Sequence, residues 1–411
     1  MKYDVAIIGG GPAGSIAAIN LIGAGLRVLI LDRARFPRLK PCGGGIRCSV
    51  YKRFQYIEPV LRSVPTNFVN KIVFESPSGS AVKFESPDPF YAMVRRLEFD
   101  NALLNECKRG GIEVAEATTI ARVAVDAGGV TLTSSSGEEF FAELVIGADG
   151  VNSVAAVHSG LRGPWKPAQI AIDGTEETPS SDLQVRHDTM FIYYGIGGAY
   201  GYGYVFPKER HVNFGIGYLL EDYKRNFSGE PYIQHLNFLG QLKRAGIISG
   251  NSQPENFHTY VLPVAGPLQR VSSSRIMLAG DAGGFVNGFT GEGIYYAMVS
   301  GEHAARTALE AIRQKNTSGD FLLRYDKACD MEVGRELRRS VTLQKRLLSN
   351  PKLIDTVVRF ASRSKSVRSL LANFVVGALS YEEMKRQAII KALPGYIHYQ
   401  AEKISYKLTR K

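Results

Sequence analysis

Three glycines at the start of the chain constrain it most. Gly9-x-Gly11-x-x-Gly14 follows the apolar run Tyr3-Asp-Val-Ala-Ile-Ile8 and opens a helix over 12–25, and a second apolar run, Arg27-Val-Leu-Ile-Leu-Asp32, comes next. Strand, helix and strand in that order make a βαβ unit of the doubly wound kind. The glycines let the backbone approach a pyrophosphate, and the helix N-terminus offers free N–H groups and the positive end of its dipole. Asp32, eighteen residues beyond Gly14, closes the second strand where its carboxylate can accept from ribose hydroxyls. The unit predicts a dinucleotide site and leaves open which dinucleotide.

The rest of the chain does not repeat the unit. A Pro-, Gly- and Arg-rich loop occupies 33–46, a hairpin is expected over 71–86, and Leu97-Glu-Phe-Asp-Asn-Ala-Leu-Leu reads as a helix ended by Gly110. Strands return over 130–147. Three runs, 189–196, 200–206 and 211–219, are expected to form an antiparallel sheet, Arg275-Ile-Met-Leu278 is another buried strand, and from about 291 the chain is mostly helical. The pattern predicts an α/β fold in which a Rossmann-like domain is interleaved with an antiparallel-sheet domain. The expected boundaries are 1–75, 95–175 and 262–330 for the first, 76–94 and 176–261 for the second, and 331–411 for a basic helical C-terminal region.

A length of 411 residues with 45% hydrophobic content allows a large core and two or three domains. The four cysteines, Cys42, Cys48, Cys107 and Cys329, have neither CxxC spacing nor disulfide density, and Asp4 interrupts what would be a signal peptide. A reducing, cytoplasmic setting is expected. Two uncharged runs, 5–26 and 189–207, are broken by glycines and are not expected to span a membrane. Residues 331–411 hold 17 Lys and Arg against 6 Asp and Glu, and the other 330 residues hold 33 of each, so the net charge of +11 sits in the tail. That tail could be a solvated surface, a face for anionic lipid headgroups, or a dock for an acidic electron carrier. The stretch 352–379 mixes apolar positions with Lys and Arg in a way compatible with an interfacial helix or with packing on the body. No metal site is evident, and His211 and His258 have no ligand spacing. Nucleic acid is not an expected partner.

Two later motifs choose among dinucleotides. Gly147-Ala-Asp-Gly-Val-Asn-Ser153 and Ala279-Gly-Asp-Ala-Gly-Gly-Phe-Val-Asn-Gly-Phe-Thr-Gly-Glu-Gly-Ile294 each end a predicted strand, and they resemble the second and third fingerprints of the flavoprotein hydroxylase superfamily. The resemblance implies FAD, with Asp281 at its ribityl and phosphate part and Arg96 near the flavin. Gly291, Gly293 and Ile294 would present N–H groups to the anion that reduced flavin carries around N1 and O2. Ala13, Arg33, Ile120, Gly43 and Gly45 complete the candidate cofactor set with Gly9, Gly11, Gly14, Asp32 and Cys42.

Pro41-Cys-Gly-Gly-Gly-Ile46 and Tyr202-Gly-Tyr-Val-Phe-Pro207 narrow the family further. Together they resemble the geranylgeranyl reductase family, whose pattern reads PxxYxWxFP, over roughly residues 1–330. Ala199 stands for that Pro, Tyr204 for that Trp, and Gly288 where many relatives have Pro. In an extended strand Tyr200, Tyr202, Tyr204 and Phe206 share one face, while Gly201 and Gly203 leave the other flat. Such a wall suits a long apolar prenyl chain, and it equally describes the packing face of an amphipathic strand. Cys42 lies in a glycine loop expected close to the isoalloxazine, where it either protonates an alkene carbon or packs against the ring. Cys42, Tyr202 and Tyr204 are the candidate catalytic residues.

The resemblance implies a FAD-dependent reductase that saturates isoprenoid double bonds, with hydride leaving flavin N5. An aromatic hydroxylase or related monooxygenase on the same fold is the alternative, and a non-catalytic lipid-binding flavoprotein a third. Flavin halogenases carry WxWxIP, whereas the single tryptophan here, Trp165, lies elsewhere. NADPH and a ferredoxin-like carrier are both open as electron donor. Peripheral contact at the inner face of the membrane would run through the basic tail.

Overall fold

The computed structural model describes residues 2–196, 201–348, 350–375, 379, 382–384 and 386–387. Its first sheet forms where the sequence is apolar on both strand faces. Lys2–Ile8 pairs in parallel with Val28–Leu31 on one side and Glu139–Gly147 on the other. Val5, Ala6 and Ile7 are fully buried, as expected of a parallel strand covered by helices on both sides. Glu113–Ala115 and Ile276–Leu278 extend the sheet in parallel, and the hairpin Ile120–Asp126 with Gly129–Ser134 folds antiparallel onto Glu139–Gly147.

Helix Pro12–Ile19 begins with proline at its first turn, where the missing N–H costs nothing. It is shorter than the sequence pattern suggests, because Asn20 caps it and the following residues turn. Helix Ile294–Arg313 crosses it so closely that a Cβ on Gly301 would overlap the Ala13 carbonyl oxygen. Glycine at 301 is therefore a packing requirement. It brings the N-terminal ends of both helices to one side of the sheet.

The second sheet has seven strands in the order Phe257–Pro263, Ile170–Pro179, His211–Leu219, Gly201–Pro207, Thr189–Ile196, Lys71–Glu75 and Ala81–Glu85. The expected 71–86 hairpin forms, but it joins the sheet through a parallel pairing of Lys71–Glu75 with Thr189–Ile196. Lys71–Glu75 and the whole of Ile170–Pro179 thus lie on the second-sheet side of the boundaries expected at 75 and 175. Backbone pairing, to which composition is blind, moves them across. A small sheet of Gly45–Arg47, Tyr91–Val94 and Thr66–Val69 bridges the two halves.

One face of the second sheet packs on helix Pro231–Arg244 through Phe191, Val205, Phe214, Phe238 and Leu242. Gly201 and Gly203 point to this face, but it is not simply flat. A Cβ on Gly203 would collide with Ile196 and lie 2.8 Å from the Phe238 ring, and one on Gly201 would lie 2.6 Å from Tyr218. The glycines hold the space those rings fill. The other face carries Met190, Ile192, Tyr194, Tyr202, Tyr204 and Phe206, with Leu348, Ile354, Val358, Ala361 and Val367 from the C-terminal helices packed into the same cluster.

Those helices, Arg335–Leu348, Pro351–Arg363 and Lys365–Val375, turn their apolar positions inward. Of the two readings of the stretch 352–379, packing on the body holds for its described part, while Lys352, Arg359, Arg363 and Lys365 stay exposed. No helix among the described residues is long and apolar enough to cross a membrane.

Candidate active site

A cavity of about 420 Å³ runs from the glycine turn after the first strand to the aromatic face of the second sheet. Its walls bring together every candidate cofactor residue named from the sequence: Gly9, Gly11, Ala13, Asp32, Arg33, Cys42, Gly43, Gly45, Arg96, Ile120, Asp281, Gly291, Gly293 and Ile294 line it, and Gly14 sits directly behind. Tyr202, Tyr204 and Phe206 line the other end. Tyr200 and Ala199 lie outside the described residues.

The dinucleotide end is a cradle of backbone. A Cβ on Gly14 would overlap the Gly9 carbonyl oxygen, and one on Gly9 would overlap that of Ala148, so both glycines are sterically required. Gly10 N–H and Ala34 N–H donate to the Asp32 carboxylate at 2.7 and 2.8 Å, which fixes the acid at the end of its strand. Arg38, which the sequence reading did not single out, completes this end. Its Nη2 pairs with Asp100 Oδ2 at 3.0 Å, while its buried Nη1 has no partner. Such an unpartnered guanidinium nitrogen beside the glycine turn fits a pyrophosphate.

At the middle of the cavity Arg96 is held by Asp100 in a two-pronged contact, Nε to Oδ1 and Nη2 to Oδ2 at 2.7 Å each. It also engages the Cys42 side chain. Lys40 lies with Nζ 3.1 Å from the centre of the Tyr260 ring, and burial, aided by the neighbouring Arg96 charge, lowers its pKa to about 8. Asp281 opens the short turn Gly280–Gly283; burial raises its pKa, against the pull of Lys40 and Arg96. The Gly291 N–H is taken by the Asn287 carbonyl at 2.9 Å, so it is not free for an anion. Gly291 supplies room instead: its φ is +72°, and a Cβ there would meet only Leu262, 3.8 Å away. Gly293 caps helix Ile294–Arg313, whose N-terminus faces the cavity. Behind it the buried Glu292 takes Arg47 Nε at 2.8 Å.

The cysteine loop is clamped between the two halves. A Cβ on Gly43 would fall 2.7 Å from the Phe206 ring, and one on Gly44 would overlap the Val94 carbonyl oxygen. Gly44 N–H donates to Cys42 Sγ at 3.4 Å. Beneath the loop the fully buried Lys208 pairs with Glu177, which also accepts from Arg95 Nε at 2.7 Å.

The aromatic wall is broader than one strand. Tyr194 stacks on Phe289 with ring centres 5.4 Å apart, Tyr202 meets Tyr194 edge-on at 5.6 Å, and Tyr204 lies against Phe206 at 4.7 Å. Tyr204 does not stand free with its neighbours. It lies across the sheet over Gly215, and its hydroxyl donates to Asp173 Oδ2 at 2.9 Å. Asp173 was missed from sequence, although an acid in the otherwise apolar start of the strand Ile170–Pro179, opposite the glycines of Phe214-Gly-Ile-Gly217, was its signal.

Residues 2–340 match the family described as FAD binding domain. The digeranylgeranylglycerophospholipid reductase 2 of Methanopyrus kandleri is 32% identical, with 84% of this chain and 86% of that protein aligned. The chain belongs to the geranylgeranyl reductase family. A second relative, the geranylgeranyl diphosphate reductase of Rhodobacter capsulatus, is 32% identical over 76% of each chain. Among solved structures, a geranylgeranyl bacteriochlorophyll reductase-like protein from Thermoplasma acidophilum superposes with a TM-score of 0.80 at 23% identity, covering 94% of this chain and 98% of its own. A point mutant of the halogenase PltM, solved in complex with FAD, superposes with a TM-score of 0.68 at 17% identity, covering 93% of this chain and 85% of its own. These two likenesses concern the fold. As a member of the geranylgeranyl reductase family the protein is a FAD-dependent oxidoreductase, and the glycine cradle and the orphaned Arg38 nitrogen fit that cofactor.

Proposed function

We propose that the protein saturates carbon–carbon double bonds of a prenyl lipid of the geranylgeranyl type. One observation carries the substrate class: the cavity that begins at the dinucleotide cradle continues into a pocket walled by Phe74, Met190, Ile192, Tyr194, Tyr202 and Phe289. An apolar, kinked chain fills such a space, and its burial there is favourable at about 25 cal/mol per Å². When bound and reduced, FAD supplies a hydride to one alkene carbon.

The chain's own residues do the rest. Gly9, Gly11, Ala13, Asp32, Arg33, Arg38 and Asp281 hold the dinucleotide, and Arg96, Lys40 and the N-terminus of helix Ile294–Arg313 surround its reactive end with positive potential. Tyr194, Tyr202 and Phe289 orient the prenyl chain and exclude water. Cys42, fixed by the glycine loop, gives a proton to the second alkene carbon. An isolated alkene resists hydride unless both transfers occur together in a dry site.

A reductant, NADPH or an acidic protein carrier, recharges the cofactor, and the exposed Lys352, Arg359, Arg363 and Lys365 give the protein a basic face for anionic headgroups at the membrane. A hydroxylase on the same fold would need oxygen. Chemically reduced protein given a geranylgeranyl lipid without oxygen should add two hydrogens per double bond by mass spectrometry. Incorporation of oxygen, dependent on air and without saturation, would overturn the proposal.

A further inference from the structure

A reductase that saturates several double bonds spends one proton at each. Cys42 holds a single proton. Its loop packs against Phe206 and Val94 while Cys42 itself lines the cavity half-buried, and its proton must be restored between one double bond and the next.

A carboxyl and a phenol lie bonded to each other beside the loop. In the sheet register Asp173 faces Gly217, and Gly215 separates Thr175 from Tyr204. Any side chain at 215 would occupy the place of the Tyr204 hydroxyl, since a Cβ there would lie 2.6 Å from it. The glycine thus lets Tyr204 lean diagonally across a strand to reach Asp173 at 2.9 Å. At its other edge the Tyr204 ring comes next to the cysteine loop, 3.3 Å from where a Cβ on Gly43 would be. The second Asp173 oxygen, Oδ1, is buried and has no partner. A carboxylate left with an orphaned oxygen in a cavity wall is costly, and a neutral carboxylic acid is much less so.

We propose that Asp173, acting through Tyr204, returns the proton that Cys42 gives up at each double bond. This rests on the reductase reading above. The Tyr204 O–H bond breaks and a Cys42 S–H bond forms, while the Asp173 carboxyl passes its own proton to the Tyr204 oxygen. The relay moves protons only. The Asp173 carboxylate that remains takes a proton from solvent, and the two electrons for the alkene belong to the hydride. When Asp173 is ionised, Tyr204 spends its O–H on the carboxylate, across 2.9 Å. When Asp173 is protonated the direction of that bond reverses and the Tyr204 proton is released toward the loop.

The groups facing Asp173 agree with a store that fills near neutrality. Burial raises its pKa to about 6, opposed by the Tyr204 hydrogen bond and by Lys40 from the cysteine loop. Tyr202 faces it from the same strand as Tyr204, and Tyr260 from the strand on its other side. Asp173 is a positioning and proton-storing residue, since it acts through Tyr204. Tryptophan, which the family pattern has at 204, could donate its indole N–H to Asp173 but has no proton to pass on near neutral pH.

Turnover of a prenyl lipid by chemically reduced protein without oxygen, followed across pH, tests the relay. For the wild type kcat should fall as pH rises through about 6. Asp173→Asn, nearly isosteric, should lower kcat about 10- to 100-fold and abolish that limb, with KM little changed, and Asp173→Glu should recover part of it. Tyr204→Phe, which keeps the ring stacking, should have the same effect as Asp173→Asn, and the double variant should be no worse than either. Infrared difference spectra of the FAD-bound protein, taken without turnover, should show a carboxylic-acid band that titrates in the same range and is missing in Asp173→Asn. Full activity with an unchanged pH limb in both single variants, or no such band, overturns the relay and leaves the reductase standing. A wild type that saturates no prenyl chain sinks both.

Discussion

The two ends of the cavity are made of different material. At the dinucleotide end the working surfaces are backbone: N–H groups at helix starts, and glycines whose missing side chains leave room for a phosphate. At the prenyl end they are side chains that meet only because strands distant in sequence lie side by side, as Asp173, Gly215 and Tyr204 do. The first kind of site is written in short runs of consecutive residues. The second is a property of the sheet register, and one strand slipped by a residue would turn every member to the opposite face.

The difference can be broken hardest at the first glycines. Gly14→Val puts a branched side chain into the Gly9 carbonyl, and the purified protein should lose its yellow colour, with FAD affinity down at least about 100-fold by fluorescence titration. Retained flavin would mean that the backbone cradle does not hold the cofactor. Next in size, Cys42→Ala should keep flavin and lose alkene reduction by about 10²-fold. Wild-type turnover with flavin fully bound would remove the thiol from the chemistry.

A smaller effect belongs to the prenyl end alone. The folded state raises the Asp173 pKa from the ordinary carboxylate range to about 6, so folding favours the protonated acid. Stability from this group is complete at low pH and is lost as pH rises through about 6. Asp173→Asn should therefore raise the melting temperature at pH 8, by the equivalent of about 1–3 kcal/mol, and do little at pH 4. Equal shifts at both pH values would contradict the burial argument. Smallest of all, Lys352→Glu with Arg359→Glu should weaken binding to anionic vesicles several-fold in low salt, and the wild-type binding should fade near 1 M salt, where the Debye length is about 3 Å. Salt-independent binding would leave the basic face as plain surface.

What could be read from the sequence follows the same division. The βαβ unit, the FAD motifs and the aromatic strand were legible because each packs its evidence into a few consecutive residues with a fixed period. All the cofactor residues named in advance except Gly14, which sits behind the turn, border one cavity. Arg38, Lys40 and Asp173 were not legible. Two lie in an irregular loop without periodicity, and the third is one acid in a strand whose partners, facing it at Gly217 and Tyr260, lie far along the chain. Gly291 lines the cavity, but its N–H is not free as expected, since its hydrogen bond to Asn287 depends on the loop closing on itself. The glycines between tyrosines looked like a flat face. They are the seats of Phe238 and Tyr218, which come from a helix and a strand further along.

The continuity of the two ends is the central claim, and the product of an anaerobic reaction tests it most directly. Protein kept reduced by excess chemical reductant and mixed with a geranylgeranyl lipid in the absence of oxygen should yield a chain heavier by two hydrogens for each double bond lost, read by mass spectrometry. A chain recovered unchanged, with the flavin still reduced and the lipid shown to be bound, would contradict it.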